Sequence, residues 1–122
     1  KLKVVRQQEM VVVGFTEPRG GRVGLGALLL GYHDDGRLRY GGKVGTGFTD
    51  ALLRDLRARL TALEVDEPPV DDPPREPTAH WVRPTLVAQV GFGEWSDAGR
   101  LRHPRFLGLR ADKDPADVVR EG

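Results

Sequence analysis

The sequence predicts a mainly β domain built as a small barrel, and three observations carry that prediction. Runs rich in β-branched residues recur along the chain, glycine-rich turns separate them, and a single stretch places leucines at helical spacing. With 122 residues there is room for one core, so the expectation is one domain over residues 1–122.

Val4 to Thr16, "VVRQQEMVVVGFT", reads as a long strand, buried on both faces toward its end. "EPRGGRVG" then makes a turn or loop that carries Arg19 and Arg22. "LGALLLGYH" and "RLRYGGKVG" are two further strands, joined into a hairpin by the tight-turn signal "DDG". In "GTGFTDALLRDLRARLTALE" the positions Leu52, Leu53, Leu56, Leu60 and Leu63 make an amphipathic helix, with Thr49 as N-cap and Phe48 stapled on Leu53.

Residues 64–78 hold five of the nine prolines, which forbids helix and discourages strand, so this stretch reads as a loop or mobile connector. "AHWVRP" reads as a short strand and "TLVAQVGFGEWS" as a longer one. After the turn "SDAG", "RLRHPRFLGLR" returns as a partner strand that Pro104 interrupts and confines to an edge or bulge. "DPADVVRE" signals a short C-terminal helix with Asp114 as N-cap and Pro115 at its first position. Three strands, a helix and two strands is the order of a five-stranded Greek-key OB-fold barrel, with the helix between strands 3 and 4 plugging one end.

The formal net charge of +1 hides an asymmetry. Residues 64–78 carry six Asp/Glu against one Lys/Arg, whereas residues 1–63 carry eleven Lys/Arg against six Asp/Glu. The folding part is therefore electropositive, which fits a polyanion partner. Absence of cysteine excludes disulfides and thiolate zinc sites. His33, His80 and His103 lie too far apart for a local ligand motif, so no metal site is expected.

The longest apolar runs, "MVVVGF" and "ALLLGY", fall far short of the ~20 residues that span a bilayer, so a soluble chain with no membrane partner is expected. Lys1-Leu2-Lys3-Val4-Val5 reads like a strand already under way, and the expectation is a domain of a longer protein. No long apolar face is left over once barrel and helix are packed, which predicts a monomer.

Candidate chemistry gathers in charged clusters. Arg110, Asp112 and Lys113 sit where a strand stops: a guanidinium can grip two phosphate oxygens, an ammonium adds a mobile charge, and the carboxylate between can hold either in place. The plainer alternative is a solvated turn. Lys1 and Lys3, two apart on a strand, share a face where they could clamp another phosphate. "GGKVGTGF" sets Lys43 and Thr46 among glycines that allow close approach of a partner, without the spacing of a phosphate loop. Arg100, Arg102 and Arg105 with His103 form a basic run near Phe106, and Arg83 follows Trp81; basic residues beside aromatics suit nucleic acid.

Taken together, "FTEPRGGRVGLGALLLGYHDDGRLRYGGKVGTGF", "HWVRPTLVAQVGFGEW" and "RLRHPRFLGLRADKDP" resemble the C-terminal OB domain of ATP-dependent DNA ligases, especially the bacterial ligase D type of end joining. Lys1 and Lys3 match the tail of that family's Trp-x-Lys-x-Lys strand, and Arg110, Asp112 and Lys113 match its terminal Arg-x-Asp-Lys. Ala111 and Gln89 stand where acids are usual in the family.

The resemblance implies a three-step reaction that uses ATP and Mg2+: a lysine takes AMP from ATP, AMP passes to the 5′-phosphate of a nick, and the 3′-hydroxyl displaces it. The Lys-x-Asp-Gly motif of the nucleophile is not in this sequence. The implied partners are therefore the nucleotidyltransferase domain of the same polypeptide and nicked double-stranded DNA, in a bacterial cytoplasm at the nucleoid. Arg110 and Lys113, with Lys1 and Lys3, would hold ATP phosphates and Asp112 would support them. Arg19, Arg22, Lys43, Thr46, Arg83 and Arg105 are the DNA-binding candidates. The competing expectation is a stand-alone OB module that binds single strands and does no chemistry.

Overall fold

The computed structural model describes residues 6–121. Lys1 and Lys3 therefore lie outside the described residues. The first strand, β1 (Arg6–Phe15), pairs antiparallel with β2 (Leu28–Asp34), and β2 pairs with β3 (Arg37–Val44). The β2–β3 turn places Asp35 at φ 54° and Gly36 at φ 77°. Both signs are those of a two-residue type I′ turn, whose twist matches the flanking strands. In β3, the register against β2 shifts where Gly42 sits at φ 118°, so the "GG" pair makes a bulge and a bend.

Helix α1 (Asp50–Thr61) starts where expected: the Thr49 hydroxyl accepts the Leu52 N–H at 3.1 Å. Its buried leucines, Leu53, Leu56 and Leu60, join one core with Val11, Phe15, Leu28 and Val82 from the sheet. Phe48, ahead of the cap, stacks on Phe106 with ring centroids 4.7 Å apart. After a two-residue strand, β4 (Glu64–Val65), the chain runs irregularly to β5 (His80–Phe92).

The two strands expected across residues 79–96 are one strand of 13 residues. Pro84 does not break it because it falls in a register jump: Leu86 faces Val12, yet Trp81 faces Gly14. There the β1 ladder asks no N–H of the residues between. One edge of β5 pairs with β1; the other takes β4 near its start and β8 (Arg105–Leu109) near its end. Between them, β6 (Glu94–Trp95) and β7 (Leu101–Arg102) form a small separate hairpin. The predicted last strand is thus split into β7 and β8, at His103 (φ 56°) and Pro104.

This is a mainly β OB-type architecture with β1, β2, β3, β5 and β8 as its five principal strands. Among the described residues no ladder joins β3 to β8. The backbone bond from Phe106 N–H to the Thr46 carbonyl, at 2.9 Å, spans the gap.

One expectation needs correction, and another is narrowed to one of its two alternatives. The C-terminal helix is only a 3-10 turn, Pro115–Asp117, although Asp114 caps it as expected by accepting the Ala116 N–H at 3.0 Å. Winding further would withdraw Val118 from the core and break the 2.8 Å bond from His33 N–H to the Val118 carbonyl. Tertiary pairing overrides the local signal. The acidic segment, expected as a loop or mobile connector, is a loop after β4, and it is tied down. Val70 is 5% exposed in the core, the Asp71 N–H donates to the Leu38 carbonyl, and the Asp72 carboxylate accepts the Tyr40 N–H. It covers β3, whose free edge would otherwise present unpaired groups.

Candidate functional site

The end of β8 presents Arg110. Its N–H donates to the Val87 carbonyl at 2.8 Å, which fixes the backbone against β5. Four of the five guanidinium N–H groups are engaged within the cluster: Nε and Nη2 donate to the two Asp112 oxygens at 2.9 Å each, and Nη1 donates to Gln89 at 2.8 Å and to Glu9 at 3.2 Å. Such a fork-to-fork grip fixes a planar cation in direction as well as place. Hydrogen bonds from Arg110 hold the Asp112 carboxyl down at about 2, and Asp112 in turn raises the guanidinium pKa. Both groups are therefore charged across the physiological range.

Lys113 comes to the same place, its Nζ 3.9 Å from Glu9. Arg110 and Lys113 line a groove of ≈ 390 Å³ together with Thr85 and Arg59 from the last turn of α1. Of the phosphate candidates, the structure thus brings Arg110, Asp112 and Lys113 into one cluster. Sequence reasoning missed Glu9, which belongs to that cluster, and Arg59, which lines the same groove. Arg59 was visible only as a polar position of the helix, while Glu9 depends on strand pairing.

Among the DNA candidates, Arg19, Arg22 and Lys43 line a second groove, of ≈ 290 Å³, with Glu17, Glu76 and Thr78. Arg22 is partly committed: it donates to the Leu25 and Gly45 carbonyls at 2.9 Å each and so staples its loop to the barrel corner. Lys43 is held at 2.7 Å by Glu76 of the acidic segment. Thr46 stands at the β3–β8 gap, its hydroxyl 3.4 Å from the Pro104 carbonyl. Arg105, beside Pro104, and Arg83, on β5, are exposed and do not line this groove.

A further charged network was not foreseen. Arg57 grips Glu17 through two bonds of 3.1 Å, and His80 lies between Glu17 at 2.5 Å and Glu64 at 2.8 Å. Phe15 packs against both side chains, with the His80 ring stacked 4.8 Å away and the Arg57 guanidinium over its face at 4.9 Å. The network ties the 17–24 loop and α1 to β5, since Arg57 also donates to the Gly24 carbonyl.

Comparison with known proteins follows the same lines. A family model described as ATP dependent DNA ligase C terminal region matches residues 21–113. The chain is 44% identical over 127 residues to the multifunctional non-homologous end joining protein LigD of Pseudomonas aeruginosa, covering 99% of this chain and 15% of that protein. It is 43% identical over 118 residues to the multifunctional non-homologous end joining DNA repair protein LigD of Mycobacterium tuberculosis, covering 93% of this chain and 16% of that protein. Among solved structures, the ligase domain of M. tuberculosis LigD matches with a TM-score of 0.89 at 41% identity, over 96% of this chain and 39% of that one. A mycobacterial DNA ligase D complexed with ATP and MES matches with a TM-score of 0.84 at 42% identity, over 98% and 39%.

Proposed function

Because the chain belongs to the C-terminal region family of ATP-dependent DNA ligases, we propose that it serves a larger ligase in two ways: it orients ATP phosphates while the enzyme is adenylated, and it then clamps nicked duplex DNA for sealing. The observation that carries the first role is the pair Arg110 and Lys113, set side by side on one groove and braced by Asp112, Gln89 and Glu9.

Attack on the α-phosphate of ATP drives negative charge onto the departing pyrophosphate. Fixed cations aimed at that charge lower the barrier more than mobile ones, because they need no reorganisation as it develops. Arg110 supplies a directed donor, its remaining Nη2 N–H, and Lys113 the point charge. Lys1 and Lys3 complete the proposed phosphate set. The lysine that carries AMP comes from the nucleotidyltransferase domain of the same polypeptide.

Mg2+ is proposed for the full enzyme, but the groove does not fit it as a ligand site. Its charged lining residues are the cations Arg59, Arg110 and Lys113, and among the described residues no group of three or more His, Cys, Asp or Glu could hold a metal ion. These side chains suit phosphate oxygens.

For the second role, the Arg19, Arg22 and Lys43 groove, together with the exposed Thr46, Arg83 and Arg105 outside it, supplies contacts to the DNA backbone. The duplex reading is favoured over a single-strand module because the buried aromatics Phe15, Tyr32, Tyr40, Phe92 and Phe106 sit in the core, and no aromatic is among the exposed large hydrophobics, Leu107 and Val119. Among the described residues no helix is long and apolar enough to cross a membrane. A single domain over residues 1–122, acting as a monomer at the bacterial nucleoid, completes the proposal.

The test is complementation: this fragment is added, in trans or fused, to a separately made nucleotidyltransferase domain, and labelled AMP transfer to lysine is followed. A rise with the native fragment supports the reading. No rise, or an equal rise with Arg110→Ala and Lys113→Ala, contradicts it.

A further inference from the structure

The Glu9 carboxylate lies between the two cations that follow β8. Its Oε2 accepts from Arg110 Nη1 at 3.2 Å, and its Oε1 is 3.9 Å from Lys113 Nζ. It reaches them from the other end of the chain, 101 positions before Arg110. Glu9 on β1 and Gln89 on β5 are direct partners in the ladder, so their side chains share a face and meet the same guanidinium nitrogen.

Asp112 and Glu9 do different things to Arg110. Asp112 is 72% exposed, follows Arg110 by two residues and takes the Nε and Nη2 edge. Glu9 is 18% exposed and takes the opposite nitrogen from within the sheet. An exposed local partner can swing with the arginine, whereas a strand-borne one ties it to the barrel. The backbone at Glu9 is itself held, because its fully buried neighbour Gln8 donates to the Glu9 carbonyl at 2.9 Å and to the Val119 carbonyl at 2.7 Å.

We infer that Glu9 is a positioning residue: it sets the directions of Arg110 and Lys113 together, from β1, for the phosphates that those cations meet. The inference rests on the phosphate-orienting role proposed above. Charge makes it testable by sign. Arg110 and Lys113 contribute two positive charges, and Asp112 and Glu9 cancel both. If the cluster worked by attraction alone, removal of Glu9 would improve it; if it works by direction, removal harms it.

The experiment uses the full-length ligase that carries this chain, with Glu9→Ala, Glu9→Gln and Arg110→Ala. Single-turnover lysyl-AMP formation is measured against ATP concentration, and sealing of a pre-adenylated nick is measured separately. Gln keeps an oxygen for Arg110 but removes the charge that holds Lys113, and it preserves volume should Ala unfold the strand. The expected result is a loss of about tenfold or more in the maximal adenylation rate for Glu9→Ala, with Glu9→Gln between it and wild type. KM for ATP should change by less than about threefold and sealing of the pre-adenylated nick by less than about twofold. Adenylation at or above the wild-type rate in both Glu9 variants overturns the inference, and so does an equal loss in both assays, which would mark a merely structural residue. Slow adenylation in Arg110→Ala with normal rates in the Glu9 variants removes only the role of Glu9. Normal rates in all three remove the phosphate-orienting reading itself.

Discussion

Lys43 and Glu76 form an ion pair of 2.7 Å across the groove that also holds Arg19 and Arg22. A segment rich in acid thus places one carboxylate on a surface proposed for DNA, and a phosphate that takes Lys43 must first displace it. Exposed pairs of this kind are worth ~0.2–1 kcal/mol. Glu76→Gln should therefore tighten binding to nicked duplex by up to about fivefold and steepen its salt dependence by about one counterion, as Lys43 becomes free to meet a phosphate. Titrations at several salt concentrations check both, and Lys43→Ala should move both in the opposite direction.

The His80 network sets a pH window for stability. Hydrogen bonds to Glu64, and then to Glu17, raise the His80 pKa, while Arg57, and then His80, lower that of Glu17. A raised imidazole contributes below its unfolded value and loses its contribution as pH rises through the folded one; a depressed carboxyl contributes above its unfolded value and is lost as pH falls through the folded one. The clamp should therefore stabilise most between the two unfolded values, 4.5 for the carboxyl and 6.5 for the imidazole. In thermal melts across pH, the wild-type Tm should fall relative to that of His80→Gln as pH rises from the ordinary imidazole value of 6.5, and the variant's profile there should be flatter.

Asp112 predicts an insensitivity instead. With its carboxyl held at about 2 by Arg110, the Arg110–Asp112 grip persists down to strongly acid pH. Its stabilising effect is present above the ordinary carboxylate value and fades only as pH falls through about 2. Asp112→Asn should slow adenylation uniformly across pH 5 to 9 (about the range in which the wild-type pair stays charged). A new acid limb in the profile of the wild type alone would contradict this.

The helix offers the clearest stability test. Leu56 is fully buried, and Leu56→Ala should cost roughly 2–5 kcal/mol through lost transfer energy and the cavity left behind. Thr49→Ala, which removes the bond to the Leu52 N–H, should cost ~1 kcal/mol. Urea unfolding of the two variants should preserve that ranking.

Features decided within a few residues were legible in the sequence. Asp35 and Gly36 specify a turn with positive φ at both positions, Thr49 specifies a helix start, and Arg110, Asp112 and Lys113 lie close enough in sequence to be read as a cluster. What sequence reading missed depends on partners far along the chain. Pro84 lies within a strand because β5 itself bulges away from β1 there, and residues 115–121 do not make a helix because Val118 is drawn into the core and Val119 bridges to His33. The acidic segment is tied because Val70 finds the core and Asp72 finds the Tyr40 N–H. Glu9 looked like one polar residue in a strand, and only its register opposite Gln89 carries it to Arg110.

The most direct test of the central claim is single-turnover lysyl-AMP formation by the full-length ligase carrying Arg110→Ala or Lys113→Ala, set beside sealing of a pre-adenylated nick by the same proteins. The account predicts a loss of about tenfold or more in the first assay for each variant, with the second far less affected. Wild-type adenylation in both variants would contradict it, and would leave Arg110, Asp112 and Lys113 as a solvated turn at the end of a DNA-binding barrel.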